Sequence, residues 1–220
     1  MKKQHITEIK DLLSSPKNIV IVPHKNPDGD AIGSTVGLYH YLKAYKHNTT
    51  VIAPNDYPNF LKWIPGNEDV LIYENGIDSC QTLINEADLI FTLDFNAMHR
   101  TGNMEDILEK SSAIKILIDH HQEPHDYAKY IYSDVDMSST SQMVYHFIEM
   151  LDDLNHIDSE IATCLYLGIM TDTGSFRFPN TTSTTHRIIA NLIEKGANNS
   201  SIHNNVYDTN SYDKLQLLGC

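Results

Sequence analysis

A mostly parallel β-sheet flanked by helices, an α/β fold, is what this sequence predicts, on three observations. Residues 18–22, 89–93 and 114–118 are five-residue runs dominated by β-branched, aliphatic and aromatic side chains. Such runs are too short for typical helices and suit buried strands. Helical patterns separate them, and strands alternating with helices assemble through crossover connections into a parallel sheet. Each run is followed within a few residues by carboxylates or imidazoles, which belong where the carboxyl ends of parallel strands open on one crevice.

The elements follow in order. Residues 6–13 read as a short leading helix that stops near Ser14-Ser15-Pro16. After the first strand, residues 31–46 place Ile32, Val36, Leu38, Tyr39 and Leu42 at helical spacing. A second strand is expected at 49–53 and a third at 70–73. Between them, Tyr57 to Trp63 is rich in aromatic residues. Packing of Phe60 and Trp63 against the sheet is the expected role, with stacking on a base as the alternative. Helices over 78–86 and 105–110 lead into the second and third apolar runs. The loop 122–126 carries Glu123, His125 and Asp126, read as solvated, before an edge strand at 130–133. Helices are expected at 140–151, 159–170, 183–194 and 200–207, and no internal repeat is found.

Composition narrows the function classes. With 220 residues and 41% apolar side chains, the chain suits one large domain with a short appendage. A net charge of −13 argues against a basic groove for long duplex nucleic acid. Small nucleotides stay eligible, because bound cations would neutralise an acidic crevice locally. Cys80, Cys164 and Cys220 form no paired motif, so neither a zinc ribbon nor a disulfide framework is indicated. No signal-like apolar stretch opens the chain, and no run approaches the ~20 residues that span a bilayer. The expectation is a cytoplasmic protein with no membrane partner.

The chemistry lies in four clusters. His24, Asp28 and Asp30 follow the first run within eight residues, and Asp94 follows the second directly. Asp119-His120-His121 closes the third, and Asp172-Thr173-Gly174 ends an apolar helical stretch. Taken alone, Asp28 or Asp30 is equally well read as a cap for the following helix. Taken together, Asp28, Asp30, Asp94, Asp119 and Asp172 in one crevice would repel strongly without more than one cation. Oxygen and imidazole donors without thiolate favour Mn²⁺ or Mg²⁺ over structural zinc. A two-metal phosphoryl-transfer site is the reading these residues support. Arg100 stands close enough after Asp94 to hold a phosphate, and equally suits a surface ion pair. No Gly-Lys-Ser/Thr loop for ATP occurs.

His24-x3-Asp28-x-Asp30-x2-Gly33, the isolated Asp94, Asp119-His120-His121 and Asp172-Thr173-Gly174 resemble the four signature motifs of the DHH phosphoesterases. Arg100-Thr101-Gly102, Ser139-Thr140-Ser141 and Asp172 to Phe178 are similar to the branch of oligoribonucleases and pAp phosphatases. The resemblance implies a catalytic domain over 1–185. Residues 186–220 would be a helical linker towards a second, substrate-binding domain that this chain lacks. It also implies two divalent ions, most suitably Mn²⁺, with Mg²⁺ or Co²⁺ as alternatives. His24 and Asp28 would hold one ion and Asp30, His120 and Asp172 the other, with Asp94 bridging. Asp119 would orient a histidine, and His121 and Arg100 would face the substrate. The implied reaction is hydrolysis of a short oligonucleotide, a dinucleotide or pAp by water activated between the ions. Alternatives are an inorganic pyrophosphatase or exopolyphosphatase, and a metal-dependent nucleotide-binding fragment without turnover. A homodimer is admitted as a further partner.

Overall fold

All six expected strands pair in parallel in a single sheet of the computed structural model, which describes residues 1–209. Helix α1 (Lys3–Leu12) precedes β1 (Asn18–Val22), and α2 (Gly29–Ala44) leads to β2 (Asn48–Ala53). Short helical turns connect to β3 (Leu71–Ile72), and α3 (Ile77–Asn85) to β4 (Leu89–Leu93). After α4 (Glu105–Lys110) come β5 (Ile114–Asp119) and β6 (Tyr130–Ser133). The chain continues through α5 (Thr140–Met150), α6 (Ser159–Asp172), α7 (Ser183–Glu194) and α8 (Asn199–His203). Strand order is β3-β2-β1-β4-β5-β6, so the direction of winding reverses between β1 and β4. In open parallel sheets that reversal leaves a crevice at the strands' carboxyl ends.

Alternation along the strands fixes the two faces. Ile19, Ile21, Phe91, Ile116 and Ile118 enter the larger core, with Ile32, Val36, Phe147, Leu165 and Ile169 from the helices. Val20, Val22, Ile52 and Ile90 enter the smaller core, with Ile84 of α3 and Leu108 of α4. Each such side chain, fully buried, contributes roughly 1.5–3 kcal/mol.

Helices α2 and α6 approach closely, which brings both their site-bearing ends together. A Cβ on Gly33 would stand 2.5 Å from the Cys164 carbonyl, and one on Gly168 would stand 2.7 Å from Asp30 Oδ1. Side chains at either place would force the helices apart, moving Asp28 and Asp30 away from Asp172.

Several expectations shift. Helix α2 starts at Gly29 rather than residue 31, because Asp28 caps it. The third strand shrinks to Leu71–Ile72, and the last helix ends at His203, followed by a π-helical turn at Asn204–Asp208. Phe60 does not pack on the sheet. It sits in the single 3₁₀ turn Asn59–Leu61, where Leu61 takes the buried position and Phe60 stays 38% exposed. Trp63 does pack against the core. The boundary expected at residue 185 falls inside α7, whose Ile188, Ile189 and Leu192 share the main core. Of the expected linker, residues 210–220, including Cys220, lie outside the described residues. Cys80 and Cys164 are buried free thiols. No helix among the described residues is long and apolar enough to cross a membrane.

Candidate metal centre

The strands deliver their groups to the winding reversal. His24 lies two residues past β1 and is buried. Its Nδ1 pairs with the Lys25 carbonyl at 2.8 Å, which makes Nδ1 the protonated nitrogen and leaves Nε2 as the ligating one. That Nε2 stands 3.6 Å from Asp94 Oδ2 and 3.9 Å from Asp28 Oδ2. Asp28 divides its two oxygens. Oδ1 accepts the Asp30 and Ala31 amides, both at 3.0 Å, and caps α2, while Oδ2 faces His24. The capping reading and the ligand reading are therefore compatible in one residue.

Asp94 follows β4 with a left-handed φ of 67°, a conformation aspartate tolerates better than most side chains. The turn aims its carboxylate across the crevice. Oδ2 faces His24, whereas Oδ1 lies 3.6 Å from His120 Nε2 and accepts the Thr140 hydroxyl at 2.9 Å. His120 Nε2 is also 3.4 Å from Asp172 Oδ2, at the end of α6. Asp30 is wholly buried, and its oxygens accept the Thr140 and Ser141 amides at 2.6 and 2.9 Å. Those are the first two amides of α5, so Asp30 also supplies an anion to a helix N-terminus. Asp119 closes β5 and holds His121 Nδ1 at 2.7 Å.

Two sets of three residues result, His24, Asp28, Asp94 and Asp30, His120, Asp172, each with ligand atoms within 4.8 Å of one another. Asp94, His120 and His121 form a third such set. The imidazole–carboxylate separations of 3.4–3.9 Å are too long for hydrogen bonds. They approach the roughly 3.0–3.5 Å expected between ligands that share an ion at about 2.1 Å. Asp119 Oδ2 is buried with no hydrogen-bond partner among the described residues. The donor set thus suits hard or borderline divalent cations.

The profile described as "DHH family, N-terminal domain" matches residues 18–169. The chain belongs to the DHH family. It is 34% identical, over 89% of its length and 55% of the relative's, to "Bifunctional oligoribonuclease and PAP phosphatase NrnA" of Thermus thermophilus. With the protein of that name from Bacillus subtilis it shares 30% identity, over 92% of this chain and 61% of the relative. Among solved structures, an exopolyphosphatase-related protein from Bacteroides fragilis superposes with a TM-score of 0.97 at 41% identity. That match covers 99% of this chain and 64% of the other. The DHH chain described here therefore spans somewhat over half the length of these relatives.

The carboxylates of this DHH centre shift one another's protonation. Burial pushes the Asp30 carboxyl well above its ordinary value, reinforced by Asp94 and Asp172. Burial raises Asp172 to about 6, with Asp94 and Asp28 adding to the shift against the pull of His120. Burial also opposes the charge on Asp94, but His24 and the two following histidines outweigh it and hold this carboxyl low. His121 is raised chiefly by its bond to Asp119.

Arg100 lies exposed on the Met98–Met104 segment, near enough to His121 to oppose its protonation. Its carbonyl accepts the Lys25 amide at 2.7 Å. Gly102 has φ of 59°, and a Cβ there would meet Lys25 Cδ at 2.8 Å. The Lys25 stem thus lies along the Met98–Met104 segment that carries Arg100. Sequence reasoning gave no role to Lys25 or to the Thr140 hydroxyl. For Lys25 the signal was adjacency to His24. Thr140 sits in the Ser-Thr-Ser run, but its contact with Asp94 spans 46 residues and leaves no local trace.

Proposed function

We propose that this DHH domain is a divalent-metal phosphoesterase acting on short oligonucleotides, dinucleotides or pAp. One observation carries the reading: the two oxygens of Asp94 face two different imidazole–carboxylate sets. His24, Asp28 and Asp94 would hold one ion, and Asp30, His120, Asp172 and Asp94 the other, with Mn²⁺ the first candidate and Mg²⁺ or Co²⁺ after it. When bound, such a pair supplies Lewis acidity at phosphorus and water whose pKa is brought near neutrality. The names of the two relatives support the substrate class.

The side chains do the rest. The Lys25 carbonyl fixes the tautomer of His24. Asp119 fixes the His121 ring through Nδ1 and favours its protonated form, so that Nε2–H is free to donate to the leaving oxygen. Arg100 would hold two non-bridging phosphate oxygens through its forked guanidinium. Asp30 locks α5 to α2, which keeps Thr140 on Asp94.

The test is a side-by-side assay of the Mn²⁺-loaded protein with pAp, a dinucleotide and pyrophosphate. Release of phosphate or mononucleotide from the first two, with pyrophosphate left intact, is expected. Turnover of pyrophosphate alone would favour the second reading, which the exopolyphosphatase-related description of the Bacteroides structure raises. Nucleotide binding without any turnover would make the domain a metal-dependent binding module.

A further inference from the structure

We propose that the cavity between Phe60 and Tyr207 is a nucleobase slot of the same active site, which rests on the phosphoesterase reading above. Asp28, Gly29, Phe60, Thr171, Asp172, Val206 and Tyr207 enclose about 270 Å³. Asp28 and Asp172 belong one to each of the two candidate ligand sets, so the cavity opens directly on the centre. The size lies near the lower end of the roughly 300–1,000 Å³ typical of small-molecule sites, enough for one base rather than a dinucleotide.

The lining chemistry selects a flat, uncharged group. Phe60 and Tyr207 are 38% and 43% exposed, against a fold whose other aromatic side chains are mostly buried. Stacking on such rings tolerates any base, because every base offers a π face. A second phosphate is disfavoured here. Two cations lie near and both are engaged: Arg177, which acts on Tyr207, donates through Nε to the Gly174 carbonyl at 2.7 Å, and Lys62, at the end of the Phe60 turn, pairs with Asp56 over the Tyr57 ring. The cations suited to phosphate, Lys25 and Arg100, belong to the His24 and His121 side.

Phe60 is also held in place. Trp63 Nε1–H donates to the Phe60 carbonyl at 2.8 Å, and the Tyr57 hydroxyl donates to Asn67 at 2.9 Å. The Asn59–Leu61 turn packs against the Asn204–Asp208 turn. An exposed aromatic ring on a braced turn loses little entropy when a base covers it.

Titration calorimetry of the Mg²⁺-loaded protein with pAp and, separately, with pyrophosphate tests the slot. Phe60→Ala is expected to weaken pAp by about 5- to 150-fold, the span of one lost base stack. Phe60→Trp is expected to preserve the affinity, and pyrophosphate and Mg²⁺ affinities are expected to stay unchanged in both. Proton NMR of the same complex is expected to show contacts between adenine H2 or H8 and the Phe60 ring. Equal pAp affinity in the wild type and Phe60→Ala would overturn the slot while leaving the phosphoesterase reading intact. A wild-type protein that binds and hydrolyses pyrophosphate but no nucleotide would overturn both.

Discussion

The two flanks of the metal centre are built for opposite jobs. On one side, Lys25, Arg100 and the Asp119–His121 pair present cations and a proton donor. On the other, Phe60 and Tyr207 present rings. Asp94 lies between. A phosphate with a base attached has this polarity, whereas pyrophosphate has charge at both ends. The carboxylates alone do not separate the substrate classes. The flanks do.

Removing the middle is expected to have the largest effect. Asp94→Asn keeps a side chain that tolerates the left-handed backbone but removes the charge and leaves one ligating oxygen instead of two. Mn²⁺ affinity measured by calorimetry is expected to fall by more than about 100-fold, beyond the ~10–100-fold typical of residues that only support a ligand. Turnover should vanish with it. Retained affinity for two ions would show that Asp94 does not bridge.

Next in size is the charged flank. His121→Ala is expected to leave Mn²⁺ stoichiometry intact and lower kcat on pAp by about 10²–10⁴-fold. Loss of metal as complete as in Asp94→Asn would move His121 from the flank into the ligand set, as its membership of the Asp94–His120 group allows.

Much of this centre is legible because the informative residues sit at strand ends, and short unbroken apolar runs mark buried strands plainly. His24, Asp94 and Asp119 are displaced from β1, β4 and β5 by two residues or fewer. The order of the sheet then brings them together. What was not legible depends on contacts distant in sequence. Asp30 meets the first turn of α5 across 110 residues, and no local pattern distinguishes a ligand from a cap there. Asp28 turned out to do one job with each oxygen. Phe60 departs from its expected place on the sheet because a three-residue 3₁₀ turn has no periodicity from which to read a face. The aromatic flank is the half of the site that carries no motif.

The smallest expected effect is on stability, and it separates the centre from both flanks. In the metal-stripped protein, Asp172 titrates at about 6 rather than 3.8. Between those values the folded chain holds a proton that the unfolded chain has released, so stability falls as pH rises through the window. His24 and His121, both raised, extend the same trend above 6.5. Asp94, held low, gives a contribution that is lost only in stronger acid and stays level here. His47, lowered by burial, works in the opposite direction below 6.5. The melting temperature without metal is therefore expected to be lower at pH 7 than at pH 5, each 1 kcal/mol appearing as about 2–4 °C at this size. Saturating Mn²⁺ is expected to reverse the slope, since an ion needs the same carboxylates deprotonated. Asp172→Asn should lessen the metal-free slope below pH 6, the raised Asp30 carboxyl supplying what remains, while Phe60→Ala should leave it unchanged. A metal-free stability that rises from pH 5 to 7 would mean that the carboxylates of the centre are already neutralised by groups of the chain itself, and the case for cations there would fail.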